Sequence, residues 1–155
     1  MNWLHNSIIM RTRFALIPQT KFRTGHMSAP CPFCKPYKFN PIIEENNLLV
    51  VNDLYPISDG HLLIAPKRHV ESFFLTTKEE KISLLAGIDQ AKSLIEKDFK
   101  PDGYNIGIND GEAAGQTISH LHIHLIPRYE GDASDPRGGI RWVLPNKAPY
   151  WEINE

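Results

Sequence analysis

The spacing of apolar positions changes several times along the chain, and each change predicts an element. Asn46 to Asp53 (NNLLVVND) is a short run of Leu and Val, as in a strand. Turn-forming residues follow in YPISDG. His61 to Lys67 (HLLIAPK) is a second apolar run that ends at Pro66, so the two runs predict a β-hairpin. Thr77-Lys78-Glu79-Glu80 then has the form of a capping box. Beyond it Leu84, Leu85, Ile88, Ala91, Leu94, Ile95 and Phe99 recur at steps of three and four, the stripe of one long helix. Pro101-Asp102-Gly103 closes that helix, and Tyr104 to Asp110 (YNIGIND) alternates as a strand. After the loop GEAAG a strict alternation returns from His120 to Leu125. Strands joined by short turns, with a single long helix among them, predict an α+β domain with a largely antiparallel sheet.

The last alternation carries chemistry. In GQTISHLHIHLIPRY, His120, His122 and His124 occupy every second position, so three of the seven histidines fall within five residues. On a strand they share one face, spaced about 6.6 Å apart, while Leu121, Ile123 and Leu125 face the other way, toward the helix. Packing does not call for such a row. Buried imidazoles without partners cost free energy, and a solvent face is more often Thr, Lys or Glu. The preceding loop offers Asn109, Gly111, Gly115, Gln116, Thr117 and Ser119, whose N–H groups, amides and hydroxyls suit an anion. Together these features predict a phosphate held beside a nucleophile or acid.

Composition narrows the class. A chain of 155 residues is long enough for one domain with a real core. Seventeen basic against eighteen acidic residues argue against a bulk binder of nucleic acid or membrane surface. No stretch approaches the roughly 20 apolar residues that span a bilayer. The only cysteines, Cys31 and Cys34 in CPFC, make no disulfide scaffold, so a reducing, cytoplasmic setting is expected. Cys-x-x-Cys is half of a tetrahedral zinc site, with a redox dithiol as its rival. Pro36, two residues on, disfavours the helix that the dithiol reading requires. Residues 1–28 hold no acidic side chain, as in an organellar transit peptide, but lack its Ser richness. They read as a peripheral arm, or as the product of a start placed before Met27.

The sequence HLHIHLI, with the segments INDGEAAGQTISH and VNDLYPISDGHLLIAPKRH, resembles the histidine triad (HIT) family of nucleotide hydrolases and transferases. The resemblance covers Cys31 to Tyr129, within a domain taken as residues 29–130. It implies a HIT-like α+β fold, mostly antiparallel, with one long helix and a short second helix. It implies that His122 attacks the α-phosphorus of a nucleotide, forming a covalent nucleotidyl-histidine and releasing a nucleoside monophosphate. The nitrogen of His122 that does not attack is expected to donate to a backbone carbonyl.

The same resemblance sets His124 beside the phosphate oxygens, and Gln116 and Thr117 near the bridging oxygen and leaving group. Asn109 falls on a phosphate or ribose contact, Asp53 on the ribose hydroxyls, and Leu54 on the wall around the base. His61 falls close to the triad, and Ser119 is a candidate phosphate contact. The zinc-bearing branch of the family implies a structural Zn2+ on Cys31, Cys34, His69 and His120; without metal, His120 orients its neighbour. Expected substrates are dinucleoside polyphosphates, such as diadenosine tetraphosphate, or nucleoside phosphoramidates.

Two other classes stay open at this point. One is a nucleotide-binding or scaffold protein with vestigial activity. The other is a zinc hydrolase in which the row itself ligates a catalytic metal. The tail, residues 131–155, is expected to be irregular. Its Trp142, Tyr150 and Trp151 suit a homodimer contact. Arg128, Arg137 and Arg141 are either solvated surface groups or contacts for distal phosphates.

Overall fold

The computed structural model describes residues 30–35, 38–45 and 47–151. The arm expected over residues 1–28 lies outside these. Five strands form one antiparallel sheet: β1 (Pro41–Glu44), β2 (Leu48–Asn52), β3 (Leu62–Pro66), β4 (Gly103–Ile108) and β5 (Ile123–Arg128), in the order β1-β2-β3-β5-β4. The expected hairpin is β2–β3, in register from Leu48 opposite Pro66 to Asn52 opposite Leu62. Its turn passes through Gly60 at φ +79°, a backbone conformation that suits glycine. Helix α1 (Lys78–Asp98) joins β3 to β4, and β5 then inserts between those two strands. That topology places the histidine-bearing strand in the sheet interior. No further α-helix occurs among the described residues; the short helical turns are 3-10, at Phe73–Leu75, Glu112–Ala114, Gly139–Val143 and Pro145–Lys147.

The capping box forms as the sequence predicts. The Thr77 side chain accepts from Glu80 N, and Glu80 accepts from Thr77 N. Leu84, Ala91 and Ile95 of α1 pack on Leu48, Val50, Leu62, Ile64, Leu121, Ile123 and Leu125, so the aliphatic half of the alternation faces the helix as expected. Each such side chain, fully buried, contributes roughly 1.5–3 kcal/mol. The buried stripe is narrower than predicted, since Leu85 is 63% exposed. The helix comes nearest the sheet at Gly87, where a β-carbon would meet Ile64 at 3.0 Å and Leu48 at 3.3 Å.

Two boundaries depart from expectation. β1 was not foreseen; it is a four-residue edge strand with a register irregularity between Pro41 and Ile43. The alternation expected over His120–Leu125 enters the sheet only at Ile123 and runs on to Arg128. His120, Leu121 and His122 lie ahead of the ladder, and the first two bond the end of β3 and the chain after it instead: the His120 ring donates to Pro66 O and Leu121 N to Val70 O. At the other end, Ile126, Pro127 and Arg128 find partners on β4 after the β3 ladder has ended at Leu62 opposite Leu125. Pro127 therefore sits where one neighbouring ladder is missing, a position that suits a residue without an N–H.

Opposite the helix, Phe33, Phe39, Val51, Leu63 and Ala65 form a second apolar cluster, with Cys31 and Ile118 against it. The tail is ordered by contacts within itself. The Arg137 guanidinium lies 4.5 Å from the Trp151 ring centre and Arg141 5.0 Å from that of Tyr150. No helix among the described residues is long and apolar enough to cross a membrane.

Candidate active site

Three short-range clusters lie along the histidine row, one around each ring. At the first, Cys31 Sγ is 3.3 Å and Cys34 Sγ 3.7 Å from His120 Nδ1, and Cys34 Sγ is 3.4 Å from His69 Nδ1. All four ligand atoms lie within 4.8 Å of one another. Bonds of about 2.3 Å to sulfur and 2.0–2.1 Å to nitrogen give a tetrahedron with edges of roughly 3.3–3.8 Å, so the set fits zinc. The second nitrogen of His120 is committed, since Nε2 donates to Pro66 O at 2.8 Å; that bond leaves a lone pair on Nδ1 toward the thiols. Burial pushes the His120 imidazole below its ordinary pKa, toward the neutral form that a metal requires. Burial, and then the neighbouring Cys31 thiol, push the Cys34 thiol up; a bound cation reverses that balance.

His122 is 6% exposed. Its Nδ1 donates to the carbonyl of His120 at 2.8 Å, the kind of bond that the sequence predicts. The proton is thereby fixed on Nδ1, and Nε2 keeps its lone pair with no hydrogen-bond partner among the described residues.

The third ring belongs to a chain of donors. Ile57 N–H points at His61 Nδ1 (3.4 Å), so the His61 proton resides on Nε2, which faces His124 Nδ1 at 3.0 Å. Asp53 Oδ2 lies alongside, 3.5 Å from His61 Nε2 and 3.9 Å from His124 Nδ1. This order of donors assigns the His124 proton to Nε2, as a neutral donor directed away from His61. Burial, followed by the neighbouring His122 and His61, lowers the His124 pKa to about 4, and burial also lowers that of His61, against the pull of Asp53.

The loop before the row is tied to the segment after His69. Asp110 Oδ2 accepts from Phe73 N (2.7 Å) and Ser72 Oγ (3.1 Å). Gln116 is held at both ends of its amide, with Oε1 accepting from Gly111 N and Nε2 donating to Glu71 O. One Gln116 N–H remains to donate elsewhere. Gly111 and Gly115 take φ of +89° and +87°, which bends the loop back on itself. Thr117 and Ser119 are exposed, Asn109 is half-buried beside Gly115, and Leu54 is half exposed next to Asp53.

The tail arginines have structural partners. Arg128 makes a two-pronged bond to Asp132 and a third bond to Asn105. Arg137 pairs with Asp135, and Arg141 bonds the carbonyls of Lys147 and Ala148.

Sequence reasoning missed four participants. Phe33 stacks on His122, with ring centres 5.3 Å apart and planes inclined by 26°. Asp110 ties the loop, and Ile57 N sets the His61 tautomer. Arg68 grips Glu80 through two bonds of 2.8 Å and so fixes the residue before His69 to the start of α1. Only Phe33 carried a signal, its place between the two cysteines.

Known proteins are similar to this chain in sequence and fold. The model of the HIT domain matches residues 38–131. An uncharacterised HIT-like protein of Methanocaldococcus jannaschii is 38% identical over 108 residues, covering 66% of this chain and 81% of that protein. The asymmetrical bis(5'-nucleosyl)-tetraphosphatase of Schizosaccharomyces pombe is 41% identical over 83 residues, covering 54% of this chain and 46% of that enzyme. The crystal structure of a zinc-bound histidine triad family protein from Mycobacterium smegmatis superposes with a TM-score of 0.55 at 32% identity, over 70% of this chain and 83% of that one. Sequence, sheet order and the histidine row agree, and the chain belongs to the histidine triad (HIT) family.

Proposed function

We propose that this protein is a nucleotide hydrolase or transferase that cleaves at the α-phosphate of dinucleoside polyphosphates, such as diadenosine tetraphosphate, or of nucleoside phosphoramidates. One observation carries the reading: His122 has Nδ1 locked on the His120 carbonyl and Nε2 open. The S. pombe tetraphosphatase supports the substrate class.

In this reading Nε2 of His122 forms a bond to the α-phosphorus as the bridging P–O bond breaks. The polyphosphate leaves as an oxyanion. In a phosphoramidate the P–N bond breaks, and the leaving nitrogen takes a proton from solvent. Water then attacks the phosphorus and loses a proton to solvent. The P–Nε2 bond breaks, the monophosphate departs and the imidazole returns to its neutral form. A covalent intermediate divides one difficult displacement into two. The Nε2–H of His124 and the free N–H of Gln116 stabilise charge on the phosphoryl oxygens, joined by Thr117, Ser119 and Asn109. Asp53 holds the ribose hydroxyls, with Leu54 at the base. Zn2+ on Cys31, Cys34, His69 and His120 is structural, because four protein ligands close its shell.

The experiment is AMP release from diadenosine polyphosphates and adenosine phosphoramidate by the wild type and by His122→Ala. The expected outcome is a loss of at least about 10³-fold in the variant with nucleotide binding retained, the scale on which removal of a nucleophile registers. Binding without release by the wild type would favour the scaffold reading, and equal release by both would remove His122 from the mechanism.

We also infer a homodimer. The 3-10 turn Gly139–Val143 packs on the edge strand β4, and Val143 and Leu144 at its end are 72% and 64% exposed. Light scattering should give twice the 17.7 kDa of one chain, and a single-chain mass at micromolar concentration would reject it.

A further inference from the structure

The CPFC loop does more than supply two thiols. Phe33 between them is fully buried, whereas Cys31 and Cys34 are partly exposed. Its ring centre lies 5.2 Å from that of His120 and 5.3 Å from that of His122. The two contacts differ in kind: Phe33 is tilted by 44° to His120 but only 26° from parallel to His122. It also meets Phe39 at 5.0 Å, within the cluster of Val51, Leu63 and Ala65. Phe33 is thus backed by a packed wall and bounded by two of the three rings.

His122 needs such a support. Its one ring hydrogen bond among the described residues, to the His120 carbonyl, is the single polar restraint against rotation about Cβ–Cγ. Such rotation would swing Nε2 across the site. The Phe33 face closes one side of the ring, and the edge-on His124 ring, 5.1 Å away at 64°, borders another.

We propose that Phe33 is a positioning residue for His122: the cysteine loop, when drawn together by metal, presses the Phe33 ring against the imidazole and aims Nε2. The catalytic part of this proposal rests on the nucleotidyl-transfer reading, and the ring contact does not. The metal ligands and the nucleophile are thereby coupled through one side chain, in addition to the backbone carbonyl of His120.

Two experiments test it. Phe33→Met replaces the flat ring by a flexible side chain of similar bulk. In the zinc-loaded variant we expect kcat to fall about tenfold to a hundredfold, the scale of a misplacement near 1 Å. KM should stay within about twofold and zinc content at one per chain. An unchanged kcat would overturn the proposal, and so would a raised KM with kcat intact, which would make the ring a wall of the ligand pocket.

The second experiment uses the wild type, so it does not depend on the variant folding. With labelled Phe and His, nuclear Overhauser contacts between the Phe33 ring and the His122 ring protons should be strong in the zinc-loaded protein. They should weaken when a chelator strips the metal. Contacts absent from the loaded protein would overturn the positioning role, and contacts unchanged after stripping would overturn its coupling to the cysteine loop. A wild type that releases no AMP yet shows metal-dependent contacts would count against the nucleotidyl-transfer reading and leave the coupling standing.

Discussion

The two ends of the histidine row can be mistaken for each other. Cys31, Cys34, His69 and His120 at one end, and Asp53, His61 and His124 at the other, are both groups of metal-ligating side chains gathered within 4.8 Å. Counting lone pairs separates them. At the cysteine end His120 has already spent its proton on Pro66 O, so Nδ1 meets thiols that become acceptors once deprotonated. Once the thiols are deprotonated, several electron pairs converge there with no proton between them, an arrangement that a cation satisfies. At the aspartate end Ile57 N–H orients His61 so that a proton lies in the 3.0 Å gap to His124. That separation is short for two ligands of one zinc ion and ordinary for a hydrogen bond. One end suits a metal and the other a shared proton, with His122 between them.

The sharpest way to break this comparison is to count the metal. The wild type should bind one zinc ion per chain, and Cys34→Ser should bind close to none. A structural zinc binds a small domain with roughly 10–16 kcal/mol. A fraction of that, several kcal/mol, should disappear from the denaturant-derived stability of Cys34→Ser. The second apolar cluster, in which Phe33 sits, should loosen first. A second equivalent of zinc that survives in Cys34→Ser and is lost with His61→Ala would place a metal at the aspartate end and collapse the distinction. Zinc that remains stoichiometric in Cys34→Ser would remove Cys34 from the ligand set.

How far the sequence reveals these ends depends on whether the signal is local. CPFC, the capping box and the alternating histidines are short local patterns; the family resemblance added His69 and His120 to the two cysteines, and the structure brings the four together. The aliphatic residues between the histidines were readable for the same reason, since alternation on a strand fixes which side faces the helix. Contacts that depend on two distant segments were not readable. Nothing near Ile123 says that β5 begins there rather than at His120; that follows from where β3 ends and where β4 still offers partners. Gly87, a residue type that weakens a helix, finds its reason only in Ile64 and Leu48 packed against it from two strands. Glu80 was legible as a cap but not as the partner of Arg68, the residue before His69, which it joins to the helix start. Arg128 shows the same limit: the sequence leaves open a solvated surface group or a contact for distal phosphates, and in the fold Asp132 and Asn105 bond its guanidinium.

A smaller effect sharpens the proton end. His124 titrates near 4 in the folded protein, mainly because it is buried, against an ordinary value of about 6.5 in the unfolded chain. As pH falls below about 6.5 the unfolded chain takes up a proton that folded His124 refuses. The unfolded state then binds more protons, and stability must fall as pH drops. The loss accumulates down to about pH 4 and stops once the folded form is protonated too. For His124 alone the ceiling is about 3 kcal/mol, from about 1.36 kcal/mol per unit. Metal release acts in the same direction, because protons displace zinc from thiolates and imidazoles. The informative quantity is therefore a difference. Urea unfolding of the wild type and of His124→Asn, at pH 7, 6 and 5 with zinc in excess, should show a shallower pH dependence in the variant. His61, lowered by burial in the same way, should retain part of the slope. Parallel curves for the two proteins would mean that His124 takes up its proton as readily folded as unfolded, and the neutral donor chain from Ile57 through His61 to His124 would have to be abandoned.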